Sequence, residues 1–210
     1  MARLWLFDFD GTLVDSEKAI KSCYLRVGQE LVPEKCNFIE NMVIGPTLEQ
    51  SSRIILSNEN IHLLDKFMSR FQQLYDEKLL LDTPQYPQVD ETLNILRSKG
   101  DHLSIITNKR TYPTHKLIDY YGWQNLFYWV ACMDEYPKAK GKSDLIKIKD
   151  IDQNQYDEIY IVGDTLSDGI AANKSNIPFV RANYGYGYNQ EWVGIKIFKA
   201  IDSFIELLNL

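Results

Sequence analysis

Cysteine is scarce in this chain, and the three that occur, Cys23, Cys36 and Cys132, are odd in number and form no CxxC pair or Cys/His cluster. A disulfide framework and a structural zinc site are therefore excluded as organising features. Long hydrophobic runs are also missing. The apolar stretch near the N-terminus, Leu4 to Phe7, is too short for a secretory signal and no window approaches a membrane span, so a cytoplasmic protein with no membrane partner is expected. There is no excess of positive charge: 23 Lys and Arg face 29 Asp and Glu, a net charge of -6, whereas a nucleic-acid partner would call for a basic face. Repeats and low-complexity tracts are absent. With 45% hydrophobic and 25% charged residues, the 210-residue chain is ordinary globular material, long enough for one large domain or a domain with a substantial insert.

What is there begins at once. Residues 4–16, LWLFDFDGTLVDS, close an apolar run with Asp8 and Asp10, two residues apart. Side chains in a strand repeat with period two, so both carboxylates are offered at one strand tip, and Gly11-Thr12 lets the chain turn away sharply. Such a pair can bind a hard cation, attack an electrophile, or divide nucleophile and acid/base roles between neighbours. The plain alternative is a hairpin, which Asp-Gly favours.

Short apolar runs recur at Leu4–Phe9, Leu103–Thr107, Phe127–Ala131, Glu158–Val162 and Ile177–Val180. Runs that are apolar nearly throughout suit strands buried on both faces. Helical patterns lie between them at Pro87–Lys99, Tyr112–Tyr121, Ser143–Lys149 and Leu166–Ser175, and Ala200–Leu208 reads as a closing helix. This alternation predicts an α/β protein with a Rossmann-like parallel sheet. One gap breaks the rhythm, because the stretch from Val14 to Pro84 is too long for a single crossover. Its apolar spacing is helical, with Leu48, Ile54, Ile55 and Leu56 in one run and Ile61, Leu64, Phe67, Met68, Phe71, Leu74 and Tyr75 in another. We therefore expect a core formed by residues 1–14 and 85–210, with an inserted helical domain, residues 15–84, placed over the carboxylate end of the first strand.

Further polar residues follow the strand-like runs or open the helices. Thr107 and Asn108 end the second run, Lys142 precedes a helix, and Gly163-Asp164 with Asp168 ends the fourth. In an open parallel sheet ligands bind beyond the carboxyl ends of the strands, so these positions and Asp8/Asp10 can meet in one crevice. A hydroxyl, an ammonium and several carboxylates there suit a phosphate ester with Mg2+. Singly, each has a plainer use: Thr107-Asn108 as the start of a turn, Asp164 as a helix cap, Asp168 in the first helical turn.

These motifs resemble the haloacid dehalogenase-like hydrolases, specifically their phosphatase branch, over nearly the whole chain. The motif DxDGTLxDS is matched by Asp8 to Ser16, the Ser/Thr-terminated strand by Ser104 to Lys109, a motif lysine by Lys142, and GDxxxD by Gly163 to Asp168. Relatives often carry Lys-Pro at the third motif, whereas here Lys138, Lys140 and Lys142 compete. Lys142 is preferred because Ser-Asp-Leu-Ile follows it. The long gap resembles a helical cap of the first type. By resemblance Asp8 is the nucleophile that forms an aspartyl-phosphate and Asp10 the acid/base. Mg2+ is then held by Asp8, the Asp10 backbone carbonyl and Asp164, with Asp168 supporting it through water, while Thr107, Asn108 and Lys142 hold the phosphate.

The resemblance implies a phosphoric monoester hydrolase acting on a small phosphorylated metabolite. Gly45 to Glu49 and Thr107-Asn108-Lys109 favour a phosphoglycolate-like substrate. A nucleotidase, a pyrophosphatase, a sugar phosphatase and a phosphoglucomutase-type enzyme remain alternatives, and a non-enzymatic scaffold is disfavoured because every chemical position is filled. Dehalogenation is disfavoured because Asp10 would have no duty when halide leaves. Lys18, Lys21, Arg26, Arg53, Lys66 and Arg70 are the cap cations from which a substrate contact is drawn, Arg53 first. The run Tyr184 to Tyr188 lacks a dinucleotide fingerprint and reads as an aromatic loop near the site or as packing.

Overall fold

The structure, a computed structural model, describes residues 2–210. Two compact units divide the chain: Met1–Asp15 with Gln85–Leu210, and Ser16–Pro84.

The first unit is built on a six-stranded sheet, β1 (Ala2–Phe7), β2 (His102–Thr107), β3 (Phe127–Cys132), β4 (Tyr156–Gly163), β5 (Phe179–Ala182) and β6 (Ile197–Ile201), in the order β3-β2-β1-β4-β5-β6. Every pairing is parallel. β1 is central, and its sequence shows why. Leu4 and Leu6 turn to one face, where they join Ile106, Ile161 and Phe179 in a buried cluster with Leu145 and Ile146 of the helix Lys142–Ile148 and Ala171 and Ala172 of the helix Leu166–Ser175. Trp5 and Phe7 alternate to the other face, where Trp5 stacks on Tyr160 at 4.9 Å and Phe7 packs on Phe204 at 5.5 Å. The one polar atom of Trp5 is satisfied by Asp101, whose Oδ2 accepts from Nε1 at 2.9 Å, and Arg3 pairs with the same carboxylate at 3.0 Å. Trp5→Ala would cost about 3–5 kcal/mol.

Three expected elements differ. The first strand stops at Phe7 rather than Phe9, because beyond Phe7 the chain is already entering the turn at Gly11 (φ 81°). The strand expected at Ile177–Val180 lies two residues later, since Asn176 takes a left-handed conformation (φ 52°) and Pro178 follows. The expected helix Ala200–Leu208 is a correction: Ile197–Ile201 is the sixth strand and Phe204–Asn209 a 3-10 helix. β6 lies at the sheet edge with Lys199 exposed, so it lacks the unbroken apolar pattern that marks the buried strands.

The second unit is helical, with α1 (Glu17–Leu31), α2 (Cys36–Asn41), α3 (Leu48–Leu56) and α4 (Leu64–Leu74). α1 buries Ala19, Ile20, Cys23, Tyr24, Val27 and Gly28, a repeat of three and four residues, and α4 buries Phe67, Phe71 and Leu74. Tyr24 meets Phe71 at 4.4 Å and Phe67 at 6.2 Å, joining the two apolar stripes. Thr47 and Gln50 form a reciprocal cap at the start of α3. No helix among the described residues is long and apolar enough to cross a membrane.

Candidate active site

β1 and β4 are neighbours in the sheet, and the chain leaves them in different directions of the strand order. That is the topological switch point at which an open parallel sheet forms its crevice. The residues that follow both strands meet there. Asp8, Asp164 and Asp168 are buried, and one carboxylate oxygen from each lies within 4.8 Å of the others. Lys142, the first residue of the helix Lys142–Ile148, is 2% exposed and bridges the group, with Nζ 2.7 Å from Asp8 Oδ2 and 2.6 Å from Asp168 Oδ1. Lys138 and Lys140 are exposed.

Each carboxylate is further fixed. Asp8 Oδ1 accepts the Phe9 N–H at 2.7 Å. Asp168 Oδ2 accepts the N–H and hydroxyl of Thr165 at 3.0 and 2.8 Å. Asp164 Oδ1 accepts the Thr12 hydroxyl at 3.1 Å and Oδ2 the Tyr186 N–H at 2.7 Å. Asp164 does not cap the following helix, because Thr165 stands between it and Leu166.

The Asp-Gly-Thr turn has a physical reason beyond its bend. Gly11 has φ 81°, and a Cβ there would lie 2.2 Å from Asp164 Oδ2. The glycine admits the carboxylate and the next residue, Thr12, binds it, so the first and fourth motifs interlock.

Three carboxylates around one ammonium leave negative charge in a dry site. Burial pushes Asp8 up to about 7 against the pull of Lys142, and Asp164 goes well above its ordinary value through burial and its neighbours Asp8 and Asp168. Lys142 is raised by Asp168 and Asp8, which outweigh the cost of its burial. A hard, oxygen-binding cation suits such a donor set, since it would restore the ionised form of Asp8 and Asp164.

Thr107 ends β2, buried, and its Oγ1 accepts the Lys109 N–H at 3.1 Å, which leaves the hydroxyl proton to donate elsewhere. Asn108 is half-buried in the same turn. Asp10 is partly exposed and ion-paired with Lys109 at 2.9 Å. Arg53 belongs to the helical unit, on α3, exposed and paired with Glu49 at 2.8 Å.

A family model described as Haloacid dehalogenase-like hydrolase matches residues 5–182. The chain belongs to the haloacid dehalogenase-like hydrolases. A phosphoglycolate phosphatase from Psychrobacter arcticus is 26% identical over 99% of this chain and 94% of its own. A solved structure of a predicted phosphatase from Clostridium acetobutylicum superposes with a TM-score of 0.82 at 22% identity, covering 100% of both chains. A haloacid dehalogenase-like family hydrolase from Streptococcus pneumoniae gives 0.80 at 23% identity over 99% of this chain and 97% of its own. The chain is thus a hydrolase of this family, α/β in fold, and similar along nearly its whole length to phosphatases.

Two features of this haloacid dehalogenase-like site carry no individual role from the motifs. One is the contact of Lys109, the last residue of the second motif, with Asp10. The other is the loop after β5, where Cβ atoms on Gly185 and Gly187 would lie 2.3 Å from Asp164 Cβ and 1.9 Å from Asp164 O, and where Tyr184 donates its hydroxyl to Thr12 O at 3.0 Å. The aromatic loop packs on Asp164 and the first turn together. The alternating glycines of Tyr184 to Tyr188 were the available signal, but their need for closeness to Asp164 is visible only in three dimensions.

Proposed function

We propose that this protein is an Mg2+-dependent phosphatase that hydrolyses a small phosphate monoester through an aspartyl-phosphate on Asp8, with phosphoglycolate as the favoured substrate. The observation that carries the reading is the buried cluster of Asp8, Asp164 and Asp168 bridged by Lys142 at the switch point. The name of the relatives, phosphoglycolate phosphatase, supports the substrate.

Asp8, the Asp10 backbone carbonyl and Asp164 would hold the metal, with Asp168 supporting it through water. Bound there, Mg2+ supplies the positive charge that lets a carboxylate approach a phosphate dianion. Asp8 attacks phosphorus in line, and Asp10 gives its proton to the leaving oxygen. Asp10 then takes a proton from the water that hydrolyses the acyl phosphate. Lys142 holds Asp8 and Asp168 through two of its three N–H donors and offers the third to a phosphoryl oxygen, joined by the Thr107 hydroxyl and by Asn108. Substrate choice falls to the helical unit, residues 15–84, with Arg53 as its candidate anion contact.

The test is a panel of phosphometabolites with Mg2+, comparing kcat/KM for phosphoglycolate, nucleotides, sugar phosphates and pyrophosphate. Phosphoglycolate is expected to lead. A nucleotide, sugar phosphate or pyrophosphate preferred by tenfold would overturn the substrate, and a panel with no metal-dependent turnover would overturn the phosphatase reading.

A further inference from the structure

Lys109 is a buried cation to which the reaction above gives no task. It is 8% exposed, and its Nζ lies 2.9 Å from Asp10 Oδ1 and 3.2 Å from Asp10 Oδ2. Its backbone is pinned by the N–H given to Thr107 Oγ1 at 3.1 Å, so the end of β2 sets where the lysine starts and Asp10 sets where it ends. Burying a lysine costs rotamer freedom and hydration, which a single surface ion pair would hardly offset. Here the partner is the residue whose direction decides proton delivery.

We propose that Lys109 is a positioning residue for Asp10, holding its carboxyl in the one rotamer from which it serves the leaving group. Because Nζ contacts both carboxylate oxygens, either one can turn to the substrate while the other stays held. The inference rests on the phosphatase reading and on Asp10 as acid/base. In the first half-reaction the bond from Asp8 oxygen to phosphorus forms as the ester P–O bond breaks, and the departing alkoxide takes the proton of Asp10. In the second, water attacks phosphorus, its proton passes to Asp10, and Asp8 leaves as a carboxylate with inorganic phosphate.

An alkyl phosphate needs that proton because an alkoxide leaves poorly, whereas p-nitrophenyl phosphate releases a phenolate that needs none. Lys109→Met and the gentler Lys109→Gln are compared with the wild type on both esters with Mg2+, after circular dichroism establishes that they fold. The expected result is that the ratio of kcat/KM on the alkyl ester, which reports the first half-reaction, to kcat/KM on the aryl ester falls about tenfold or more. In an Asp10→Asn background the same lysine changes should add no further discrimination. An equal fall in kcat/KM on both esters, discrimination that persists without the Asp10 carboxylate, or failure of both variants to fold would overturn the proposal and leave Lys109 a structural residue. A wild type inert towards both esters would overturn the phosphatase reading itself, and this inference with it.

Discussion

In the core unit Asp8, Asp164, Asp168 and Lys142 are buried and face one another, whereas in the helical unit Lys21, Arg53 and Arg70 each pair with an acid at the surface. Lys142 is 2% exposed between Asp8 and Asp168, while the side chain of Arg53 is 52% exposed next to Glu49, one turn away on the same helix. Lys21 with Glu17 and Arg70 with Glu30 repeat the surface pattern. Buried charge is costly unless its partners are fixed, so the first arrangement depends on every neighbour, and the second tolerates change. The buried cluster of the core and the surface pairs of the helical unit are therefore expected to respond to mutation very differently.

The largest effect should come from Asp8→Asn, which removes the proposed nucleophile while keeping the shape, and steady-state turnover should vanish. Asp10→Asn should lose about two to four decades, the scale of a positioned acid/base. Next comes Gly185→Ala, whose Cβ would lie 2.3 Å from Asp164 Cβ and from Gly11 O. Displacing Asp164 should weaken Mg2+ binding about 10–100-fold by calorimetry. Unchanged affinity would show that the loop after β5 does not position that carboxylate.

The pH dependence of stability is a third probe. Asp8 is pushed up to about 7 in the folded protein, against about 3.9 in an unfolded chain. The folded state therefore holds more protons than the unfolded one between these values, so the metal-free protein should lose stability as pH rises from about 4 to 7. In calorimetric scans with chelator Tm should drop over that range; Asp8→Asn should reduce the slope, the share of the raised Asp164 remaining, and saturating Mg2+ should flatten it. The smallest effect is expected at Arg53→Ala, less than about 0.5 kcal/mol in stability, because its pair with Glu49 is exposed. A raised KM at unchanged stability would mark Arg53 as a substrate contact.

The same contrast explains what is legible in sequence. The strand-end carboxylates stand out because a parallel sheet forces its chemistry to the ends of apolar runs, and Asp8 and Asp164 close two of these. Lys142 could be chosen over Lys138 and Lys140 only from the helix start that follows it. Contacts between loops distant in the chain leave weaker traces: Tyr186 on Asp164 and Lys109 on Asp10 depend on which strands become neighbours. β6 is hidden for another reason, since an edge strand needs no continuous apolar run and Lys199 breaks the pattern. In the helical unit the apolar runs of α3 and α4 are readable from spacing alone, but exposed cations look alike whether or not they meet a substrate.

The central claim is that Asp8 carries the phosphoryl group. Acid quench during turnover with Mg2+, followed by peptide mass mapping, should find phosphate on the peptide containing Asp8 in the wild type and none in Asp8→Asn. Phosphate release by an Asp8→Asn protein at near wild-type rate, or a wild type that turns over with no phosphoryl group on that peptide, would contradict the account.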